Sequence, residues 1–383
     1  MMKTVIVLGG GVGGLIVATE LRKQLPKEHR IVVIDRERSH LFTPSLLWLM
    51  VGLREASAIQ RPLDRLERKG IEVRYGEVEK IDPERRAVVV AGEEIAGDYL
   101  VVALGAELAD GTIPGLAEAG HDFYTLAGAE SLRAALGSIE RGRVVVLTAA
   151  PAYKCPAAPY EAALLIAAHL ASRGLRDAVS VEVWAAEPGP MGVAGPEMSA
   201  AVRQLLAAEN IPYHPAHQVT AVDPQAKKLS FAGGAEASFD LLAYVPPHRA
   251  PEVVRQSPLL GDAGWISVDR HTLATRFPGV FALGDVTTIP LAMGKPLPKA
   301  GVFAHGQAEV VAKNIAAEIA GQPAGERFDG HGECFIEVGH GKAGFGEGNF
   351  YAEPLPQVTL HSPAWRWHAG KVLFEKTWLH MKI

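Results

Sequence analysis

Two cysteines, Cys155 and Cys334, are the only thiols in a chain of 383 residues. They form no C-x-x-C motif, zinc knuckle or dense disulfide framework, so any joint chemistry requires the fold to bring them together. Cys155 follows Lys154 in the Pro- and Ala-rich loop TAAPAYKCPAAP. A neighbouring ammonium lowers a thiol's pKa and favours the nucleophilic thiolate. The plainer alternative is two unrelated core cysteines, because free cysteine is among the most buried residue types. Asp285 ends the apolar run PGVFALGD. A carboxylate there either holds a ribose or ribityl hydroxyl at the carboxyl edge of a sheet or caps a turn. Lys299 lies just before Gly301, where a long helix is expected to begin, and the positive end of that helix attracts anions.

The first residues carry a more specific signal. TVIVL, Thr4 to Leu8, reads as a strand buried on both faces. Gly9, Gly11 and Gly14 follow, then the helical pattern LIVATELRKQL, then a second buried strand, Ile31 to Ile34, ending at Asp35. Strand, Gly-x-Gly-x-x-Gly, helix, strand and acid in this order are the dinucleotide-binding fingerprint. The glycines allow a tight turn and a close backbone approach to a pyrophosphate, which the helix N-terminus then faces. Asp35 is placed to accept from a ribose hydroxyl. Gly13, Arg36 and Gly105, the last at the end of DYLVVALG, complete the candidate cofactor set. A second strand, helix and strand follow from Arg143, with the helix expected over Tyr160 to Ser172. Its connecting turn has no glycine, which disfavours a nicotinamide dinucleotide there.

Composition agrees with a folded, multi-domain α/β chain: 48% hydrophobic, 21% charged, and 40 glycines without a collagen-like period. A net charge of -5 supplies no field to attract nucleic acid. The start, MMKTVIVLGG, breaks at Gly9 before a signal-peptide core could form, so export by that route is not expected. The HLFTPSLLWLMVG segment reads as an apolar loop. The tail differs from the rest: Trp365, Trp367 and Trp378 are three of the six tryptophans, and Arg366, Lys371, Lys376 and Lys382 face only Glu375. A helix over Gly370 to Ile383 would align Phe374, Thr377, Trp378 and Met381, suited equally to a bilayer headgroup layer or to docking on the protein.

The Asp35 strand, FTPSLLWLMVG, DYLVVALG, YKCPAAPYEAA, GVFALGD, LPKAG and KVLFEKTWLHMK together resemble, in order, segments of the sulfide:quinone oxidoreductase family. The likeness covers nearly the whole chain. It implies two Rossmann-like domains: residues 1–110 and 261–325 around FAD, 111–260 carrying Cys155, and a membrane-facing segment, 326–383, carrying Cys334. It further implies a redox-active disulfide between the two cysteines, with the persulfide on Cys155 and the flavin-facing thiolate on Cys334. Glu161 matches a proton carrier, although an acid in a first helical turn also serves the dipole. Lys299 matches a lysine near the flavin and quinone. Sulfide is then the substrate, a membrane quinone the acceptor, and the chain a peripheral membrane protein expected on the cytoplasmic side. The oligomeric state is left open, a homo-oligomer included.

Two departures accompany the likeness. Tyr124 stands about where relatives carry a third cysteine, so a thioether to FAD at that point is excluded, and EPGPMGVAGPEM lacks an expected histidine. Related alternatives are the flavoprotein subunit of a flavocytochrome c sulfide dehydrogenase, a type II NADH dehydrogenase, and a sulfide- or persulfide-sensing flavoprotein without turnover.

Overall fold

The computed structural model describes residues 1–383. Near-continuous runs of branched apolar residues build two five-stranded parallel sheets, each buried on both faces. The first runs in the order Val280–Ala282, Tyr99–Val102, Thr4–Leu8, Arg30–Asp35, Glu72–Tyr75. The second runs His121–Asp122, Leu241–Val245, Gly142–Thr148, Val179–Ala185, Tyr213–His214. The chain leaves the first sheet after Val102 and returns to add the edge strand Val280–Ala282, so the second sheet is an excursion. A short antiparallel pairing of Glu107–Leu108 with His248–Arg249 ties its outgoing and returning passages.

The helix Val12–Gln24 follows the glycine turn and packs along the helix Gly301–Ile319. The third element is an antiparallel sheet of His331–Gly339, Lys342–Asn349 and Gln357–Ala364. The helix Ala158–Ser172 lies between this sheet and the second parallel sheet, and 11 of its 15 residues are buried. A helix covered on both sides is apolar all round, which explains the AALLIAA run. Each fully buried leucine there contributes about 1.5–3 kcal/mol.

Two expectations change. The FTPSLLWLMVG segment is not an open loop: Thr43–Ser45 forms a 3₁₀ turn, Leu46–Leu49 a short helix, and Leu46 to Val51 are buried. The terminal helix begins at Trp365, not Gly370, and continues to Thr377, followed by a wide turn at Trp378–Lys382. Its expected apolar face is split. Trp378 is 2% exposed, whereas Phe374 is 43% and Met381 72% exposed. The inward face instead carries charge, since Lys371 and Glu375 are buried. Both ions are paired: Lys371 with Glu161, and Glu375 with Arg54 at 2.8 Å. Burial of charge is tolerated only with such partners.

Candidate functional site

A cavity of about 1080 Å³ opens at the carboxyl edge of the first sheet, where ligands bind in open α/β folds. Its wall draws on the turns after three strands: Gly11 and Gly13, then Ala103 and Gly105, then Leu283 to Asp285. Two helix N-termini without side-chain caps, at Gly11 and Ala300, open onto it and leave backbone N–H groups free for an anion.

The glycine turn is built as the fingerprint requires. Gly9 adopts φ +97°, and a Cβ on Gly14 would overlap the Gly9 carbonyl oxygen, so only glycine lets helix and strand approach this closely. Gly11 has open space around its Cα, Gly13 abuts Leu283, and Gly105 has φ +70°. Asp35 braces the turn, accepting from the Gly10 N–H at 2.5 Å and the Glu37 N–H at 2.7 Å. Asp35 and Arg36 are not part of the cavity wall, and Arg36 is exposed beside Glu37 and Glu77.

Asp285 is buried, and its Oδ1 has no hydrogen-bond partner. Burial pushes this carboxyl up, against the pull of Lys154 and Lys299. An orphaned buried acceptor in the wall of a dinucleotide-sized cavity fits a cofactor hydroxyl. The Lys299 ammonium is held by the carbonyls of Asp285 and Thr287, at 2.7 and 2.8 Å, and lies 3.4 Å from the centre of the Trp265 ring. Burial lowers it to about 8, with Asp285 opposing.

Cys155 forms part of the same wall; Cys334 does not. The Cys155 backbone is in the left-handed region, φ 51°, uncommon for a residue with a side chain. Three contacts hold it: its N–H donates to the Lys299 carbonyl at 2.6 Å, its carbonyl accepts from the Ala158 N–H at 2.9 Å, and the Tyr124 hydroxyl donates to the Lys154 carbonyl at 2.8 Å. Tyr124 therefore has a structural task in the loop. Cys334 lies on the strand His331–Gly339 and donates weakly to the Phe335 carbonyl. Both cysteines are free thiols, and each lies in the electrostatic field of Glu161 and Lys371.

The expected thiolate at Cys155 is not found. Burial, reinforced by Glu161, pushes the Cys155 thiol up to about 12, and the lowering influence comes from Lys371, not the adjacent Lys154. Burial and Cys155 itself push Cys334 up as well. The Lys154 ammonium instead points over the Tyr124 ring, 5.8 Å from its centre. Glu161 is buried and ion-paired with Lys371, so it is no ordinary dipole partner. Burial pushes the Glu161 carboxyl up, with Lys371 opposing. Burial also weakens the Lys371 ammonium, but Glu161 and Glu337 outweigh it and hold its pKa above the ordinary value.

Sequence reasoning missed Lys371, which was counted with the surface charge of the tail, and His40. His40 Nδ1 meets the Gly10 carbonyl at 2.9 Å, and Nε2 accepts from Trp378 Nε1–H at 3.0 Å. This network requires the neutral Nδ1–H tautomer, and burial lowers the His40 pKa accordingly. The tail is thereby latched to the glycine turn. No local pattern signals either contact, because the partners lie hundreds of residues apart.

The second parallel sheet lacks a nucleotide cradle. Glu187, just beyond its strand Val179–Ala185, stands where a ribose-binding acid belongs in such a unit. Its oxygens accept from Thr148 Oγ1 and the Tyr153 hydroxyl, both at 2.6 Å, and from the Tyr160 hydroxyl. With no glycine in the turn and this carboxylate occupied, a nicotinamide dinucleotide has no seat there.

Comparison with known proteins agrees with this geometry. The pattern of the pyridine nucleotide-disulphide oxidoreductase family matches residues 3–308. A sulfide-quinone reductase of Aquifex aeolicus is 30% identical over 405 residues, covering 99% of this chain and 91% of that protein. A mitochondrial sulfide:quinone oxidoreductase of Mus musculus is 26% identical over 367 residues, covering 92% and 79%. The solved structure of the Aquifex aeolicus sulfide:quinone oxidoreductase superposes with a TM-score of 0.90 at 28% identity, covering 99% of this chain and 91% of that one. A cofactor cavity at the fingerprint turn, a glycine-free second unit and this breadth of likeness lead to one assignment: the chain belongs to the pyridine nucleotide-disulphide oxidoreductases, and among these FAD-binding flavoproteins to the sulfide:quinone oxidoreductase family.

Proposed function

We propose that this enzyme oxidises sulfide to sulfane sulfur or polysulfide through a Cys155–Cys334 disulfide, and delivers the electrons to a membrane quinone. The carrying observation is one free thiol in the wall of the cofactor cavity with a second thiol behind it, both beside the buried Glu161–Lys371 pair. Hydrosulfide attacks one sulfur of the disulfide: HS⁻ + Cys–S–S–Cys gives Cys–S–SH + Cys–S⁻. Bound FAD supplies two-electron acceptor chemistry. In this reading Cys155 faces the cofactor and Cys334 takes the persulfide, the reverse of the division implied by family resemblance, because Cys155 alone of the two lines the cavity. Gly11, Gly13 and Gly105 hold the cofactor's backbone, Asp285 orients a hydroxyl, and Lys299 offers positive charge at the rim. Residues 1–110 with 261–325 carry the cofactor, 111–260 present Cys155, and 326–383 bring up Cys334.

Anaerobic addition of sulfide is expected to bleach the flavin absorbance, and a short-chain quinone to restore it, with no bleaching by NADH. Bleaching by NADH and not by sulfide overturns the proposal. The blocked Glu187 position and glycine-free turn already weigh against the nicotinamide alternative.

No helix is long and apolar enough to cross a membrane. Trp365, Leu373, Phe374 and Met381 nevertheless lie exposed on the docked tail. Exposed tryptophan and aliphatic side chains with flanking lysines suit the headgroup layer, so the same tail is proposed to rest on the membrane that supplies the quinone. In liposome flotation, Leu373→Glu/Phe374→Glu is expected to stay in the soluble fraction while the parent protein floats. Equal flotation of the two contradicts membrane binding by this face.

A further inference from the structure

The two buried carboxylates near the cysteines share a single buried ammonium. Glu161 pairs directly with Lys371. Glu337, whose side chain is 2% exposed, presents both oxygens to His368 Nδ1 at 3.0 Å. Lys371 lies in the field of both acids, with its ammonium over the Trp48 ring. His368 packs edge-on against the same ring, and its side chain is 31% exposed. Two carboxylates and one ammonium in a dry interior leave one negative charge uncompensated, which low-dielectric surroundings disfavour. One further proton is therefore required, on His368 or on an acid. We propose that Glu161, Lys371, Glu337 and His368 form a proton path from the cysteine pair to the surface, with His368 as its exit.

The inference rests on the sulfide-oxidation reading, which generates a proton inside the protein. After hydrosulfide attack, Cys–S–SH + Cys–S⁻ becomes Cys–S–S–S–Cys + H⁺ as two electrons leave to the bound cofactor. Both thiols are deeply buried, so this proton has no direct route to water. Glu161 accepts it. The flexible stem of Lys371 lets its ammonium serve either acid in turn, Glu337 receives the proton, and His368 releases it to water. The charged and titratable groups facing this chain are Cys155 from its loop and Cys334 and Glu333 from the third sheet. Glu375 on the terminal helix and Arg54, whose guanidinium also lies over Trp48, pair with each other. They add no net charge.

The test is a single-turnover sulfide pulse on the flavin-loaded protein. It follows flavin absorbance together with proton release to an indicator dye, for the parent, His368→Ala and His368→Gln. Proton release is expected to slow about tenfold or more in both variants, with unchanged melting temperature. Millimolar imidazole should restore the rate in His368→Ala, where it fits the vacated space, and not in His368→Gln. Release at the parent rate in both variants overturns the path. So does slowing that imidazole leaves untouched in His368→Ala. A parallel pulse of dithiothreitol delivers two electrons through the same cysteines and also frees a proton. If sulfide fails on the parent while dithiothreitol succeeds, the sulfide reading falls and the path is judged by His368→Ala in that arm. If both fail on the parent, both proposals fall.

Discussion

Cys155→Ser is expected to leave the flavin oxidised after anaerobic sulfide addition, a loss of about 10³-fold or more in the rate of bleaching. A hydroxyl cannot form the disulfide that hydrosulfide attacks, and oxygen in place of sulfur ends thiol–disulfide exchange at that position. The substitution is nearly isosteric. The contacts that hold the loop, from the Cys155 N–H to the Lys299 carbonyl and from the Ala158 N–H to the Cys155 carbonyl, are backbone contacts and survive it. Flavin content and melting temperature should therefore match the parent, so that lost bleaching reports chemistry and not unfolding. Stopped-flow absorbance measures the rate, and bleaching at the parent rate removes Cys155 from the mechanism. The thiol's elevation to about 12 sharpens the point. Reduced Cys155 is a neutral thiol at physiological pH, so its reactivity depends on proton removal within the site and not on a standing thiolate.

Glu161→Leu is expected to destabilise the fold by about 3–5 kcal/mol, because it strands the Lys371 ammonium in the interior without its partner. This pair joins the helix Ala158–Ser172 to the terminal helix across the strand that carries Cys334. Breaking it should lower the urea midpoint and loosen the tail. The double variant Glu161→Leu/Lys371→Met replaces the pair with apolar groups of similar reach, and should recover most of the loss, to within about 1 kcal/mol. Tryptophan fluorescence during urea unfolding measures both. An unchanged midpoint in the single variant contradicts the assignment of a buried pair. The pH dependence has a definite sign. The folded pKa of Lys371 is raised above its unfolded value of 10.5, so the stability it contributes is fully present below that value. It is lost as pH rises through the higher folded value. The parent should weaken in that alkaline window, and the double variant should lack this component.

Local pattern was sufficient wherever function depends on the backbone. The fingerprint turn needs glycine at Gly9 and Gly14 for steric reasons that do not depend on the rest of the chain, and the strand and helix around it follow from periodicity. The absence of glycine from TAAPAYKCPAAP likewise excluded a second nucleotide seat before the occupied Glu187 carboxylate was seen. Pattern failed where burial reverses the sense of a charge. Lys154 stands beside Cys155 in sequence yet turns toward Tyr124, while Lys371, far away in the chain, is the cation that acts on the thiol. The tail failed for a related reason. Its helical wheel assumes that apolar residues face inward, but ion pairs from Glu161 and Arg54 draw Lys371 and Glu375 to the inner face, and leave Phe374 and Met381 outside.

The sequence by itself determined that this is an α/β flavoprotein with a single dinucleotide turn, since those features lie within short segments whose geometry is set by glycine sterics and strand burial. Tertiary structure alone decided which cysteine meets the cofactor cavity and what charge surrounds it. The position of Cys155 in the wall, with Cys334 behind it, follows from packing a third sheet against the helix Ala158–Ser172. Electrostatics in that dry interior depend on distance and desolvation, neither of which sequence separation records.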